Sequence, residues 1–119
     1  MALERVTTIP ATAHNALTCS SPAADTAATV TLTPAATECV TLGGLAWSYS
    51  ADPSAAAPIV VTDGTITFRY FVTKGGPGFI VYDPPKRFPI GNAVTITAGK
   101  GGGSTSCTLD ANAYVAKAT

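Results

Sequence analysis

The feature that most constrains this chain is an alternation of apolar and polar residues with a period of two. Residues 28–33 put Val30 and Leu32 on one side, and residues 45–50 do the same for Leu45, Trp47 and Tyr49. Residues 65–72 align Ile66, Phe68, Tyr70 and Val72, which leaves Thr65, Thr67, Arg69 and Phe71 on the opposite side. Residues 94–98 alternate again, and 105–115 align Cys107, Leu109, Ala111, Ala113 and Val115. Successive side chains of an extended strand point to opposite faces, so such runs predict strands with one buried and one open face. Shorter apolar runs at 38–42, 59–62 and 79–82 predict further strands.

Turn chemistry separates these runs. Pro34 ends one, Gly43 and Gly44 stop the next, and Asp52 with Pro53 breaks a third. Asp63-Gly64 is the strongest hairpin signal in the sequence. Gly75-Gly76-Pro77-Gly78 predicts a turn, Asp83-Pro84-Pro85 closes the strand that follows, and the glycines of 99–104 predict a loose, flexible loop. No segment carries a helical stripe, although one helical turn over 52–57 is compatible with the pattern. The sum is an all-β fold of about eight strands, an antiparallel jelly-roll-like β-sandwich over residues 26–119. The order Cys39, Trp47, Cys107 brings an immunoglobulin domain to mind, but Trp47 follows the first cysteine too closely for that fold.

Residues 1–25 predict an extended N-terminal arm with weak periodicity between prolines. Two readings stand side by side: a disordered tail, or an arm that orders on a neighbouring subunit with Val6, Ile9 and Leu17 as its anchors.

The charge balance narrows the partners. Charged residues make up 12% of the 119, about half the ~25% of an ordinary soluble domain, and seven basic residues offset seven acidic ones. Nucleic acid and anionic membranes both call for clustered positive charge, so neither is expected as a partner. No stretch has the length of a membrane span, and the start lacks the apolar run of a secretory signal, so synthesis in the cytoplasm is expected. Threonine and serine supply most of the polarity. That suits either an ordinary β domain or a surface of small side chains that desolvates cheaply against neighbours.

Chemistry is hard to find. Three widely spaced cysteines, Cys19, Cys39 and Cys107, have no metal-ligand spacing and read as free thiols in a reducing compartment. After release from a cell, Cys39 and Cys107 are a possible pair, with Cys19 left for a partner chain. His14 falls in the arm, without an orienting partner. Asp52, Asp63 and Asp83 sit in turns, where Asp caps its own backbone, and Asp110 points outward. The run Gly-Lys-Gly-Gly-Gly-Ser lacks the order of a phosphate loop. Lys86-Arg87 beside Phe88 is too small a basic spot for a nucleic-acid footprint. No catalytic residue, no metal site and no cofactor are expected, and the chain does not read as an enzyme. Trp47, Tyr49, Phe79 and Tyr82 read as core, with a shallow sugar-binding platform as the alternative, which Tyr70, Phe71 and Phe88 would join. Phe71 is out of phase with its buried neighbours and predicts an interface, as does Phe88.

Trp47-Ser-Tyr49-Ser-Ala-Asp-Pro53, the Thr62-Asp-Gly64 hairpin, Gly76-Pro-Gly78-Phe79-Ile80, Asp83-Pro-Pro85 and Leu109-Asp-Ala-Asn-Ala-Tyr114 give the chain a further likeness. Over roughly residues 43–115 it resembles small virion-associated proteins of tailed bacteriophages. The resemblance implies a capsid decoration (cement) protein on the virion surface, a homotrimer that contacts the major capsid protein. It supplies no catalytic residues, and residues 1–42 lie outside it. The alternative is a carbohydrate- or receptor-binding module of a tail or spike.

Overall fold

The computed structural model describes residues 14–15 and 18–117. They form nine strand segments and no helix: β1 (His14–Asn15), β2 (Thr18–Ser20), β3 (Ala28–Leu32), β4 (Glu38–Tyr49), β5 (Ala57–Thr62), β6 (Thr67–Val72), β7 (Gly76–Arg87), β8 (Val94–Ala98) and β9 (Cys107–Lys117). The helical turn at 52–57 does not form; β5 begins at Ala57 instead.

Every pairing is antiparallel. Sheet A runs β1-β9-β4-β7, with β2 also on β9, and sheet B runs β3-β8-β5-β6. Taken together, β1 and β2 fill one edge position beside β9. The eight resulting positions pair in nested fashion: first with last, β3 with β8, β4 with β7, and β5 with β6. Folding that nest over joins β4 to β9 and β5 to β8. This is the double-sheet jelly roll, with two edges per sheet.

The alternation read from sequence places the core. β3 and β8 bury every second residue, and Cys107, Leu109, Ala111, Ala113 and Val115 of β9 all face inward. They meet Val40, Leu42, Leu45 and Tyr49 of β4 and Ile59 and Val61 of β5 in one cluster between the sheets. Each such aliphatic side chain removed from water contributes about 1.5–3 kcal/mol, the term that offsets chain entropy here.

Four expectations need correction. Gly43 and Gly44 do not stop a strand; β4 continues through a bulge, where the register shifts between Leu42 and Gly44. Likewise, β7 runs from Gly76 through the Asp83-Pro84-Pro85 segment, whose Asp83–Pro84 peptide is cis, to Arg87. On its far side it pairs Lys86 with Leu42, so Tyr82 to Pro85 bow out opposite the bulge. Cross-strand hydrogen bonding has overridden the local breakers. Third, the 99–104 loop is pinned rather than loose. Tyr49 donates its hydroxyl to Gly99 O at 2.6 Å, Ser54 N donates to Gly101 O at 2.9 Å, and Thr105 N donates to Gly102 O at 3.0 Å. Fourth, Ile66 lies in the β5–β6 turn and is 39% exposed, not in the core. That turn is organised by Asp63, whose carboxylate accepts from Ile66 N (2.7 Å) and Thr65 N (2.9 Å).

Of the segment assigned to an arm, residues 14–15 and 18–20 are built into the edge of sheet A. Val6, Ile9 and Leu17 lie outside the described residues.

Candidate docking surface

The edge where β6 and β7 face each other across the sandwich is closed by rings. Phe68 and Tyr70 come from β6, Tyr82 from β7, and Phe88 from just beyond it. The Phe68 ring lies tilted at 6.3 Å from that of Tyr82 and edge-on at 6.4 Å from that of Phe88, and the Tyr70 and Tyr82 hydroxyls meet at 3.0 Å. Burial, reinforced by that hydroxyl contact, raises the Tyr82 phenol above its usual range. The Lys86 ammonium sits 5.5 Å from the Phe68 ring and 5.8 Å from that of Tyr82. The neighbouring Arg87 donates its Nε–H to Cys39 Sγ at 3.2 Å. Both cations are therefore engaged within the chain. Phe88 is 3% exposed, so the interface role expected for it has no surface to act from. Its position past the end of β7 turns it inward, a direction the strand period does not specify.

The outer faces differ from this closed edge. On sheet A, two rows cross three strands: Phe79–Ala46–Asp110 and Val81–Gly44–Asn112. Phe79 is 74% exposed and Val81 69%. Between these apolar groups on β7 and the polar groups on β9, the middle strand offers only Gly44 and Ala46, so the face sinks into a trough of about 230 Å³. That is below the ~300 Å³ at which small-molecule pockets begin, and it suits a single side chain better than a ligand. Gly44 is required there. A Cβ on it would lie 2.6 Å from Ile80 O, a backbone atom that cannot turn away.

On sheet B the outer face is carried by Thr67, Arg69 and Phe71 of β6 beside Thr62, Val60 and Pro58 of β5. Phe71 is 65% exposed, as its phase predicts, and Arg69 stands two residues away on the same face. Neither Arg69 nor Asp110 has an ion-pair partner among the described residues.

The aromatic platform weighed from sequence is not assembled. Trp47 and the buried Tyr49 and Tyr82 point into the sandwich, while Phe79 points out from sheet A and Phe71 from sheet B. Trp47 lies flat over Gly78, where a Cβ would come within 2.5 Å of its ring. Cys39 pairs with Ala116 and Cys107 with Tyr49, at opposite ends of β4. Ten residues of strand, roughly 33 Å, separate them, so they cannot form the disulfide considered above. Both thiols are buried, and desolvation raises that of Cys107. Among the described residues there is no group of three or more His, Cys, Asp or Glu that could hold a metal. No helix of the described residues is long and apolar enough to cross a membrane.

Sequence reasoning found Phe71 and the outward Asp110 but missed the trough. Phe79 to Tyr82 is continuously apolar, which reads as buried on both faces. The signal that does identify an open strand is proline: Pro77, Pro84 and Pro85 in one strand mark it as an edge.

No family model matches the chain, and no curated protein matches it. Solved structures give distant likenesses. A ruminal GH26 endo-β-1,4-mannanase is 12% identical with a TM-score of 0.41; the match covers 82% of this chain but only 19% of the mannanase. The virus-like particle of the extra small virus of the giant freshwater prawn Macrobrachium rosenbergii is 14% identical with a TM-score of 0.35, over 100% of this chain and 87% of that one. A subunit of Bacillus endospore appendages, described as disulfide-linked pili, is 14% identical with a TM-score of 0.43 over 100% of both chains. At these scores the likenesses assign no function.

Proposed function

We propose that this chain is a structural virion protein, a decoration subunit that stabilises a phage head by bridging capsid subunits, and not an enzyme. The observation that supports this reading is an electrically neutral jelly roll with large apolar side chains, Phe71, Phe79 and Val81, on both outer faces. Adjoining exposed apolar groups such as Phe79 and Val81 mark contact surfaces, and zero net charge does nothing to keep copies apart. A rigid two-sheet body with docking faces on opposite sides suits a part that links others. The partners under this reading are the major capsid protein and further copies of the chain, as a homotrimer on the outside of the shell.

The test is to purify the particles whose genome encodes the chain. Quantitative mass spectrometry is expected to find the chain in fixed ratio to the major capsid protein, and cryo-electron microscopy to place it on the head. Absence from purified particles, or a location on the tail alone, rules the reading out.

A further inference from the structure

We infer that the outer face of sheet B of one copy docks on the outer face of sheet A of the next, with Phe71 as a knob in the trough beside Phe79 and Val81. This rests on the reading of the chain as an assembling subunit and specifies how copies meet. The occupant of the trough is a second copy, because the two faces are complementary in shape and in charge. The trough is bounded on one side by Phe79 and Val81 and on the other by Asp110 and Asn112, with Ala46 and Gly44 as its floor. Its two walls, on β7 and β9, are two strand spacings or about 10 Å apart, enough to admit one ring. Phe71 is the large ring on the opposite side of the sandwich, and Arg69 stands about 7 Å from it along β6. With Phe71 seated over Ala46, the Arg69 guanidinium reaches the polar wall, where Asp110 is the carboxylate. Arg69 is the cation of one face and Asp110 the anion of the other, and neither is paired among the described residues.

Strand addition is the rival way for such sheets to meet, and at the β7 edge, beside the trough, the prolines oppose it. Pro77 lacks an N–H near one end of β7, and Pro84 and Pro85 lack theirs in its bowed segment, which leaves a short stretch able to pair with an added strand. Face-to-face packing needs no free backbone groups. Each face measures about 20 Å by 20 Å, or roughly 400 Å², which is small for a stable complex. The contact is therefore weak singly and gains from repetition. Because knob and trough lie on opposite faces, the contact is heterologous. With the two faces back to back, repetition carries copies along one direction, so this contact builds a row, and a homotrimer as in the reading above meets through other contacts.

Complementation separates this geometry from a self-complementary dimer. The full chain is prepared as Phe71→Ser, which lacks the knob, and as Phe79→Ser with Val81→Ser, which lacks the trough wall. Light scattering and native mass spectrometry at several hundred micromolar are expected to show wild type associating and each variant alone as monomer. An equimolar mixture of the two variants is expected to give a 1:1 dimer and nothing larger, since each retains one competent face. All the changed residues are exposed, and circular dichroism checks the fold. As a second measurement, Arg69→Asp and Asp110→Arg each weaken association at least tenfold, and their combination in one chain restores it. A monomeric wild type, a mixture that stays monomeric, a single variant that associates like wild type, or a charge swap that does not restore association overturns the inference. Particle composition is measured separately. If the chain is missing from virions while the variants still complement, the virion reading fails and the contact stands.

Discussion

The two sheets share a core but are built by different rules. Sheet B consists of short strands of five or six residues, and Ala28–Leu32, Ala57–Thr62 and Val94–Ala98 alternate without interruption. Its outer surface is largely threonine, with Pro58, Val60, Arg69 and Phe71 as the exceptions. Sheet A has strands of eleven and twelve residues, a bulge at Gly43–Gly44, and a bowed segment in β7. Its outer face is where side chains of very different size adjoin. Regular alternation makes a sheet; departures from it make a recess. The core and the recess of this molecule are thus encoded in separate features of the same strands.

The largest losses are expected on the inner faces, which carry the core together. Ile96 at the centre of sheet B and Leu109 at the centre of sheet A are both fully buried. Ile96→Ala and Leu109→Ala are each expected to cost about 2–5 kcal/mol in urea unfolding. A much smaller loss at either site means that its sheet does not hold half of the core. Substitution on the outer faces sharpens the contrast. Gly44→Val forces a side chain against Ile80 O and is expected to cost about 1–3 kcal/mol, whereas Thr97→Val on sheet B stays within about 0.5 kcal/mol. Equal costs deny the recess its special geometry.

Two smaller effects test the ends of the sandwich by pH. Burial, with a lesser contribution from Cys107, pushes Tyr49 up to about 12, so the folded state holds this phenol neutral. An unfolded tyrosine ionises near ~10. The stability contributed is thus fully present below about pH 10 and is lost as pH rises toward 12. Tyr49→Phe removes the hydrogen bond to Gly99 O, costs about 1 kcal/mol at neutral pH, and reduces the alkaline loss, the rest of which falls to Tyr82, Tyr114 and Cys107. At the other end, the Ile66 and Thr65 amides, followed by Asn92, hold the Asp63 carboxyl below its ordinary value. Its contribution is present above the unfolded carboxyl range and is lost as pH falls below that range through the lowered folded value. Asp63→Asn is expected to flatten the acid limb of a stability–pH curve by a small but resolvable amount, and an unchanged limb denies the turn its role.

How much of this was legible in the sequence follows from the same division. β3, β8 and β9 were readable because period two, with one face buried, leaves little freedom of register. The jelly-roll class followed from strand number and spacing. β4 and β7 were read as fragments because glycine and proline report local backbone preference, while the partner strand decides whether the chain continues. Phe71 was visible as a residue out of phase. The trough was not, since it exists only where Ala46, Phe79 and Asp110 come side by side from three distant strands. Phe88 was misplaced because it lies beyond the last residue for which strand phase has meaning.

The nested pairing also has a temporal side. β4 is bordered by β7 and β9, and Tyr49 meets its cross-strand neighbour Cys107 only after the chain has grown by 58 residues. During translation, Val40, Leu42 and Leu45 therefore leave the ribosome well before the strand that shields them. Pairings so distant in sequence form slowly, and the half-made chain presents an oily surface meanwhile. A nascent polypeptide of this design depends on rapid completion or on a chaperone's cover, and truncation before β9 should send it to aggregates.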